Sequence, residues 1–172
     1  MGKLLRLLRH RWVDDSDLRR SLPTDALARI TASVAASELR HSGEIRVCVE
    51  AGLPLSYLWR GLSARDRAGA LFGKLGVWDP AHNTGVLLYL LLAERAIEVV
   101  ADRGLNAHVN PAQWQAIVNG LSQALRSGQP EAGLLAAVAA VNGLLAQHFA
   151  LDPSGGGGGD NPNELPDAPL LL

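Results

Sequence analysis

The chain has 172 residues, of which 48% are apolar and 19% charged, the size and composition of one globular domain with short extensions. Its formal net charge of -1 provides no overall field to hold a polyanion, so the composition argues against nucleic acid as a partner. The single cysteine, Cys48, excludes an intramolecular disulfide and a multi-cysteine zinc site.

The first twenty residues form a basic amphipathic segment. Read as a helix, the segment carries an apolar stripe made by Leu4, Leu5, Leu8 and Trp12. It also carries four positive charges before the first acidic residue, from Lys3, Arg6, Arg9 and Arg11. A helix that docks on its own domain shows this pattern, and so does one that lies on an anionic membrane. We favour docking and keep peripheral membrane contact through the four basic residues as the alternative.

The N-terminal charges also bear on cellular location. They interrupt the apolar centre that a secretory signal requires. The longest apolar stretch, 132–146, is too short to span a bilayer. The sequence therefore predicts a cytoplasmic protein. If the basic segment binds a membrane, the protein would lie peripherally at the inner membrane face.

The C-terminal residues are rich in glycine and proline. Five consecutive glycines follow Ser154, and an acidic, proline-containing stretch leads to three final leucines. Such a composition is typical of a flexible linker. The sequence predicts a flexible tail over 152–172 and a folded body over 21–151.

The first half of the body predicts a helix, a strand and a second helix. Apolar residues at near-helical spacing over 24–40 indicate the first helix. Strict alternation over 44–50 predicts a half-exposed strand, with Glu44, Arg46, Cys48 and Glu50 on its polar side. A capping-box pattern formed by Ser63 and Asp66 starts the second helix, over 64–75.

In the second half of the body, the alternation of apolar and polar residues gives way to a continuous apolar run. Residues 86–92 are apolar on both faces, which is typical of a central strand covered on two sides, and 96–101 follow after a short turn as its antiparallel neighbour. Two closing helices are expected, one capped by Asn110 and one from Pro130 to about 148. The predicted fold class is α/β, a small mixed β-sheet of three to four strands with helices packed on both faces.

Several segments of the chain resemble the TPM domain family. The matching residues are His41 to Val47, Val77 to Asp79, His82 to Leu87 and Glu98 to Gly104. The family is similar across plant thylakoid-lumen proteins linked to photosystem repair, an animal receptor-auxiliary protein and many bacterial proteins often labelled phosphatases. The resemblance covers about residues 24 to 150. Pro80 and Thr84 depart from the family's usual pattern.

The resemblance implies two alternative functions. One is an accessory or assembly module that binds a protein partner, including a membrane-anchored one, or a weakly held divalent ion. The other is a metal-assisted acid phosphatase, in which carboxylates hold an ion that activates water. The first alternative requires no cofactor, and we favour it.

Geometry gathers the matching residues at one place. If the first two strands are parallel and the third antiparallel, the start of the first strand, the approach to the second and the end of the third lie on one edge of the sheet. The expected binding residues there are Glu44, Arg46, Asn83 and Arg103. Oxygen ligands from Asp79 and Asp102 favour Ca²⁺ or Mg²⁺ over zinc, and His82 is the candidate acid or base. Equally, these residues are capable of simple roles as loop caps, ion pairs and solvated strand positions.

Overall fold

The computed structural model describes residues 3–79, 83–151 and 165–172, and these form the predicted α/β architecture. The helices are α1 (Lys3–Trp12), α2 (Asp15–Ser21), α3 (Thr24–Glu38), α4 (Leu55–Arg60), α5 (Ala64–Lys74), α6 (Arg103–Asn106), α7 (Pro111–Arg126) and α8 (Pro130–His148). The strands are β1 (Ile45–Glu50), β2 (Val86–Leu91), β3 (Ala96–Ala101) and β4 (Leu170–Leu171).

The strands form one mixed sheet in the order β3-β2-β1-β4. β1 runs parallel to β2, with Val47 opposite Leu88, and β2 runs antiparallel to β3, with Leu88 opposite Val99. The parallel pair is possible because α4 and α5 carry the chain back between the two strands. The predictions that β2 lies inside the sheet and pairs antiparallel with β3 are confirmed.

Helices cover both faces of the sheet, as predicted. On one face Val47, Leu88 and Leu90 pack in a core with side chains of α3, α7 and α8. On the other face Leu87 and Tyr89 pack with side chains of α4 and α5. All six residues of β2 are buried, which explains why its sequence is apolar without alternation.

The helix starts expected from the sequence are also confirmed. Ser63 and Asp66 form the capping box of α5, and Asn110 and Gln113 form that of α7. Three short helices, α2, α4 and α6, were not predicted. α2 begins with a further capping box between Asp14 and Asp17, where the aspartate in the Glu or Gln position obscures the usual pattern.

The prediction of a half-exposed β1 is wrong, because all six of its residues are buried. Its charged side chains tolerate burial because each has partners. Glu50 receives hydrogen bonds from the Arg67 guanidinium, with Arg67 Nη2 2.7 Å from Glu50 Oε1, and from the Tyr89 hydroxyl at 2.6 Å. Arg46 Nη1 donates to Pro166 O at 2.5 Å and to Ala168 O.

The prediction of a flexible tail is likewise wrong for its last eight residues, 165–172. Residues 152–164 lie outside the described residues. β4 pairs in parallel with β1, and this pairing extends beyond the strand. The Leu172 N–H donates to Val49 O at 3.0 Å, and the Ala51 N–H donates to Leu172 O at 2.8 Å. The C-terminal segment therefore pairs with the edge of β1 that is opposite β2.

Candidate functional site

Three chain segments, 42–44, 83–85 and 102–104, meet at the edge of the sheet where β1 and β2 begin and β3 ends. We call them the strand-start edge. The Val86 N–H donates to Glu44 O at 2.9 Å, and the Asp102 N–H donates to Gly85 O at 2.9 Å. The Gly104 N–H donates to Asn83 O at 3.0 Å. The geometric argument from strand directions therefore brought the correct backbone segments together.

Close packing fixes the middle segment of this edge. A Cβ on Gly85 would lie 1.8 Å from Val77 O, so no residue with a side chain fits there without movement. Asn83 adopts a left-handed conformation with φ 53°, which asparagine tolerates better than most residues. Thr84 is fully buried, and its hydroxyl donates to Ser42 O at 3.2 Å. Thr84, which departs from the family pattern, therefore has a structural role.

Asp102 and Arg103 lie at the end of β3. Asp102 caps α6, since its Oδ1 accepts from the Arg103 N–H at 2.6 Å. Its Oδ2 is buried and has no hydrogen-bond partner among the described residues. A buried carboxylate oxygen without a donor costs free energy unless something else supplies one. The Arg103 side chain is exposed beside it.

The structure does not bring all the predicted site residues to this surface. Arg46 binds carbonyls of the C-terminal segment, and its burial lowers the pKa of the guanidinium. Glu44 is only 1% exposed. Asp79 is exposed, with its backbone N–H bound to Gly76 O at 3.0 Å. His82 lies outside the described residues.

Metal-binding capacity at the edge is small. Within the described parts of the chain, no three His, Cys, Asp or Glu side chains are grouped so that they could hold one ion. The candidate ligands Asp79 and Asp102 offer far fewer oxygens than the six to eight that Ca²⁺ takes. An ion held there would keep most of its coordination to water.

A buried acidic group next to the edge was missed by the sequence analysis. Burial, Glu44 and Asp167 raise the pKa of Glu38 to about 8, and a hydrogen bond links its carboxyl to Asp167. His41 accepts from the Gly43 N–H at its Nδ1, 3.2 Å away, and burial lowers the pKa of its imidazole. Glu38 ends a helix and Asp167 lies in the predicted tail, so only the fold brings them together.

The N-terminal helix α1 docks on the domain through its polar side. Arg6 Nε donates to Glu94 Oε1 at 2.6 Å, and Arg6 Nη2 donates to Leu62 O at 2.7 Å. His10 Nδ1 accepts from the Leu53 N–H at 3.0 Å, so its Nε2 carries the proton that it donates to Glu94 at 2.8 Å. Partial burial raises the pKa of Glu94, but the bonds from Arg6 and His10 outweigh it and hold that pKa below its usual value.

Docking through the polar side leaves the apolar stripe of α1 in solvent. The exposed fractions are 73% for Leu4, 59% for Leu5, 49% for Leu8 and 82% for Trp12. Arg9 and Arg11 are exposed as well. We call the six residues Leu4, Leu5, Leu8, Arg9, Arg11 and Trp12 the N-terminal face. The adjacent helix α4 adds two further exposed apolar side chains, Leu55 and Trp59.

A four-stranded mixed sheet with helices on both faces defines a small α/β domain. The chain matches the family model of the TPM domain over residues 16–144, and it belongs to that family. Its fold is similar to the NMR structure of BA42 protein from the psychrophilic bacterium Bizionia argentinensis, with a TM-score of 0.74 and 22% identity over 88% of this chain and 95% of that one. No curated protein matches the chain.

Proposed function

We propose that this chain is an accessory module of the TPM family whose strand-start edge binds a partner protein. The observation that carries the proposal is the buried Oδ2 of Asp102, which lacks a hydrogen-bond donor among the described residues and lies beside the exposed Arg103. A partner that accepts from the exposed Arg103, and donates to Oδ2 after a turn of the half-buried Asp102 carboxylate, would satisfy both groups. Such a paired contact gives specificity without catalysis.

The roles of the other residues support binding over hydrolysis. A metal-assisted phosphatase needs several carboxylates or histidines that converge on one ion and its activated water. At this edge Glu44 is buried and Arg46 binds the C-terminal segment. Asp102 already caps a helix through Oδ1. These contacts leave Asp102 Oδ2 and the exposed Asp79 as the acidic donors for an ion.

A weakly held ion at the same edge is the second form of this proposal. Asp102 Oδ2 supports it as much as it supports a partner protein, because a carboxylate oxygen without a donor is also a ligand for a cation. Hard oxygen donors select Ca²⁺ or Mg²⁺, and so few protein ligands imply a dissociation constant near 10⁻⁴ to 10⁻³ M, roughly that of weak extracellular modules. The ion would then complete the edge structurally. Activation of water by the ion would be the phosphatase version.

One set of variants separates these possibilities. Asp102→Asn keeps the Oδ1 cap but replaces the free carboxylate oxygen by an amide, and Arg103→Glu reverses the exposed charge. Arg126→Glu is the matched control, because Arg126 is exposed at the end of α7. Crosslinked pull-downs should lose a common partner with Asp102→Asn and Arg103→Glu and retain it with Arg126→Glu.

The ion and enzyme versions are tested on the same proteins. Calorimetry with Ca²⁺ and Mg²⁺ should show binding to wild type and Arg126→Glu that is lost in Asp102→Asn if the ion version holds. Hydrolysis of p-nitrophenyl phosphate that depends on both the ion and Asp102 would replace the accessory proposal by the phosphatase. A partner captured equally by all variants would contradict binding at the strand-start edge.

A further inference from the structure

The apolar stripe of α1 is unusual because it faces solvent although the helix is docked. Arg6 and His10, one turn apart, hold α1 to Glu94, Leu62 and Leu53. Gly52 lets the helix approach closely, since a Cβ there would lie 2.9 Å from His10 O. The stripe is therefore presented by a fixed helix and does not result from a detached one.

The arginines are arranged around this stripe in a specific way. At about 100° per residue, Arg11 borders the stripe on one side and Arg9 on the other, while Arg6 and His10 lie opposite. No acidic residue occurs in α1. A partner protein's apolar groove does not require positive charge along both borders, whereas a bilayer with anionic headgroups presents phosphate on every side of an inserted helix.

The length of α1 decides how it meets a membrane. Ten residues span about 15 Å, half the thickness of the hydrocarbon core. In the part of the chain that the structure describes, no helix is long and apolar enough to cross a membrane. α1 would lie parallel to the surface, with Leu4 and Leu8 below the headgroups, Trp12 at the interface and Arg9 and Arg11 extended to phosphates.

We infer that the N-terminal face is a membrane-binding surface for anionic lipid. The face lies outside the range 16–144 that matches the TPM domain, so it is distinct from the strand-start edge and does not depend on the function proposed for that edge. Arg6, one of the four basic residues considered for membrane contact from the sequence, is a docking residue instead. Its bonds to Glu94 and Leu62 fix the orientation of the face.

The test is partition onto vesicles of phosphatidylcholine mixed with phosphatidylglycerol and onto vesicles of phosphatidylcholine alone. Two double variants probe the face, Leu8→Ser with Trp12→Ser and Arg9→Glu with Arg11→Glu. The matched control is Leu39→Ser with Arg40→Glu. Leu39 and Arg40 are also exposed. They lie before β1, whereas His10 of α1 binds Leu53, which follows β1.

Wild type and the control should bind the mixed vesicles and bind phosphatidylcholine alone far less. The arginine variant should lose affinity by at least about 25-fold, at about fivefold for each arginine. The apolar variant should lose affinity by about tenfold or more. The inference is overturned if wild type fails to bind the mixed vesicles. It is also overturned if both variants bind as well as wild type, or if the control loses as much affinity as they do.

A measurement on wild type alone keeps the test independent of the folding of the variants. Mixed vesicles should slow amide hydrogen exchange over 3–12 and leave exchange in β3 unchanged. Unchanged exchange in α1 of vesicle-bound protein overturns the inference. Self-association in sedimentation that Trp12→Ser abolishes, in a protein that does not bind vesicles, would assign the face to a second copy of this chain.

Discussion

At the scale of single residues, two glycines show what a sequence pattern can and cannot reveal. Gly85 belongs to the family-like Asn83 to Leu87 segment, and the reason for a glycine there is visible only in the fold, where Val77 O occupies the space of a side chain. Gly120, in contrast, lies in α7 with open space where a Cβ would be. The sequence alone does not distinguish the two glycines, because their different roles follow from contacts with residues elsewhere in the chain.

The two glycines predict opposite effects of the same substitution. Gly85→Ala should destabilise the protein by about 1–3 kcal/mol, because the backbone at Gly85 or at Val77 must move to relieve the contact between the new Cβ and Val77 O. Gly120→Ala should stabilise it by about 0.5–1 kcal/mol, because alanine restricts the unfolded chain and favours helix. Urea unfolding of both variants measures these changes. Equal effects of the two substitutions would contradict the close packing at Gly85.

Glu38 predicts a pH dependence of stability. Its pKa in the folded protein, about 8, is above the ordinary 4.5 because burial, Glu44 and Asp167 oppose its ionisation. The folded state therefore binds this proton more tightly than the unfolded state does. The corresponding stability is fully present below about pH 4.5 and is lost as the pH rises through about 8.

Substitution of Glu38 isolates this effect. Glu38→Gln removes the ionisation while an amide N–H can still donate to Asp167. The melting temperature of wild type should fall relative to that of Glu38→Gln as the pH rises from about 5 to about 9. Other groups that titrate in this range contribute to both proteins and cancel in the difference. A constant difference across the range would show that Glu38 does not hold its proton.

At the scale of elements, local signals were interpreted correctly, whereas the contacts that the two chain ends make with the body were not predicted. The caps of α5 and α7 and the continuous apolar run of β2 depend on neighbouring residues and are visible in the sequence. The burial of β1 depends on β4, which pairs Cys48 with Leu170, 122 positions away. The docking side of α1 depends on Glu94, 84 positions from His10. Alternation and amphipathicity show which side of an element is apolar, but not what covers it.

Removal of residues 165–172 tests the contribution of β4. The truncated protein should be less stable, because it loses the edge pairing of β1 and the carbonyls that bind Arg46. Hydrogen exchange should be faster at the Ala51 amide, which donates to Leu172 O. The Leu92 amide, which donates to Glu50 O, should remain protected as the internal control. Unchanged protection of Ala51 would mean that the segment does not hold this position in solution.

At the scale of the whole molecule, both chain-terminal segments attach to the end of β1 that is opposite the strand-start edge. His10 binds the Leu53 N–H, Leu172 binds Ala51, and one cavity is bordered by His10, Gly52 and Leu172. Both segments lie outside the range that matches the TPM domain. The proposed partner site and the proposed membrane surface thus lie at opposite ends of the sheet, an arrangement in which a partner and a membrane would not compete.

This arrangement depends on Glu94, which holds α1 to the turn between β2 and β3. Glu94→Ala should release α1 because Arg6 and His10 both lose their carboxylate, while the cores on the two faces of the sheet remain. Limited trypsin digestion should then cleave faster after Arg6, Arg9 and Arg11, with little change in the melting temperature of the body. Glu98→Ala is the matched control, since the Glu98 carboxylate pairs at 3.5 Å with the exposed Arg65. Cleavage of α1 at equal rates in both variants would show that Glu94 does not anchor the helix.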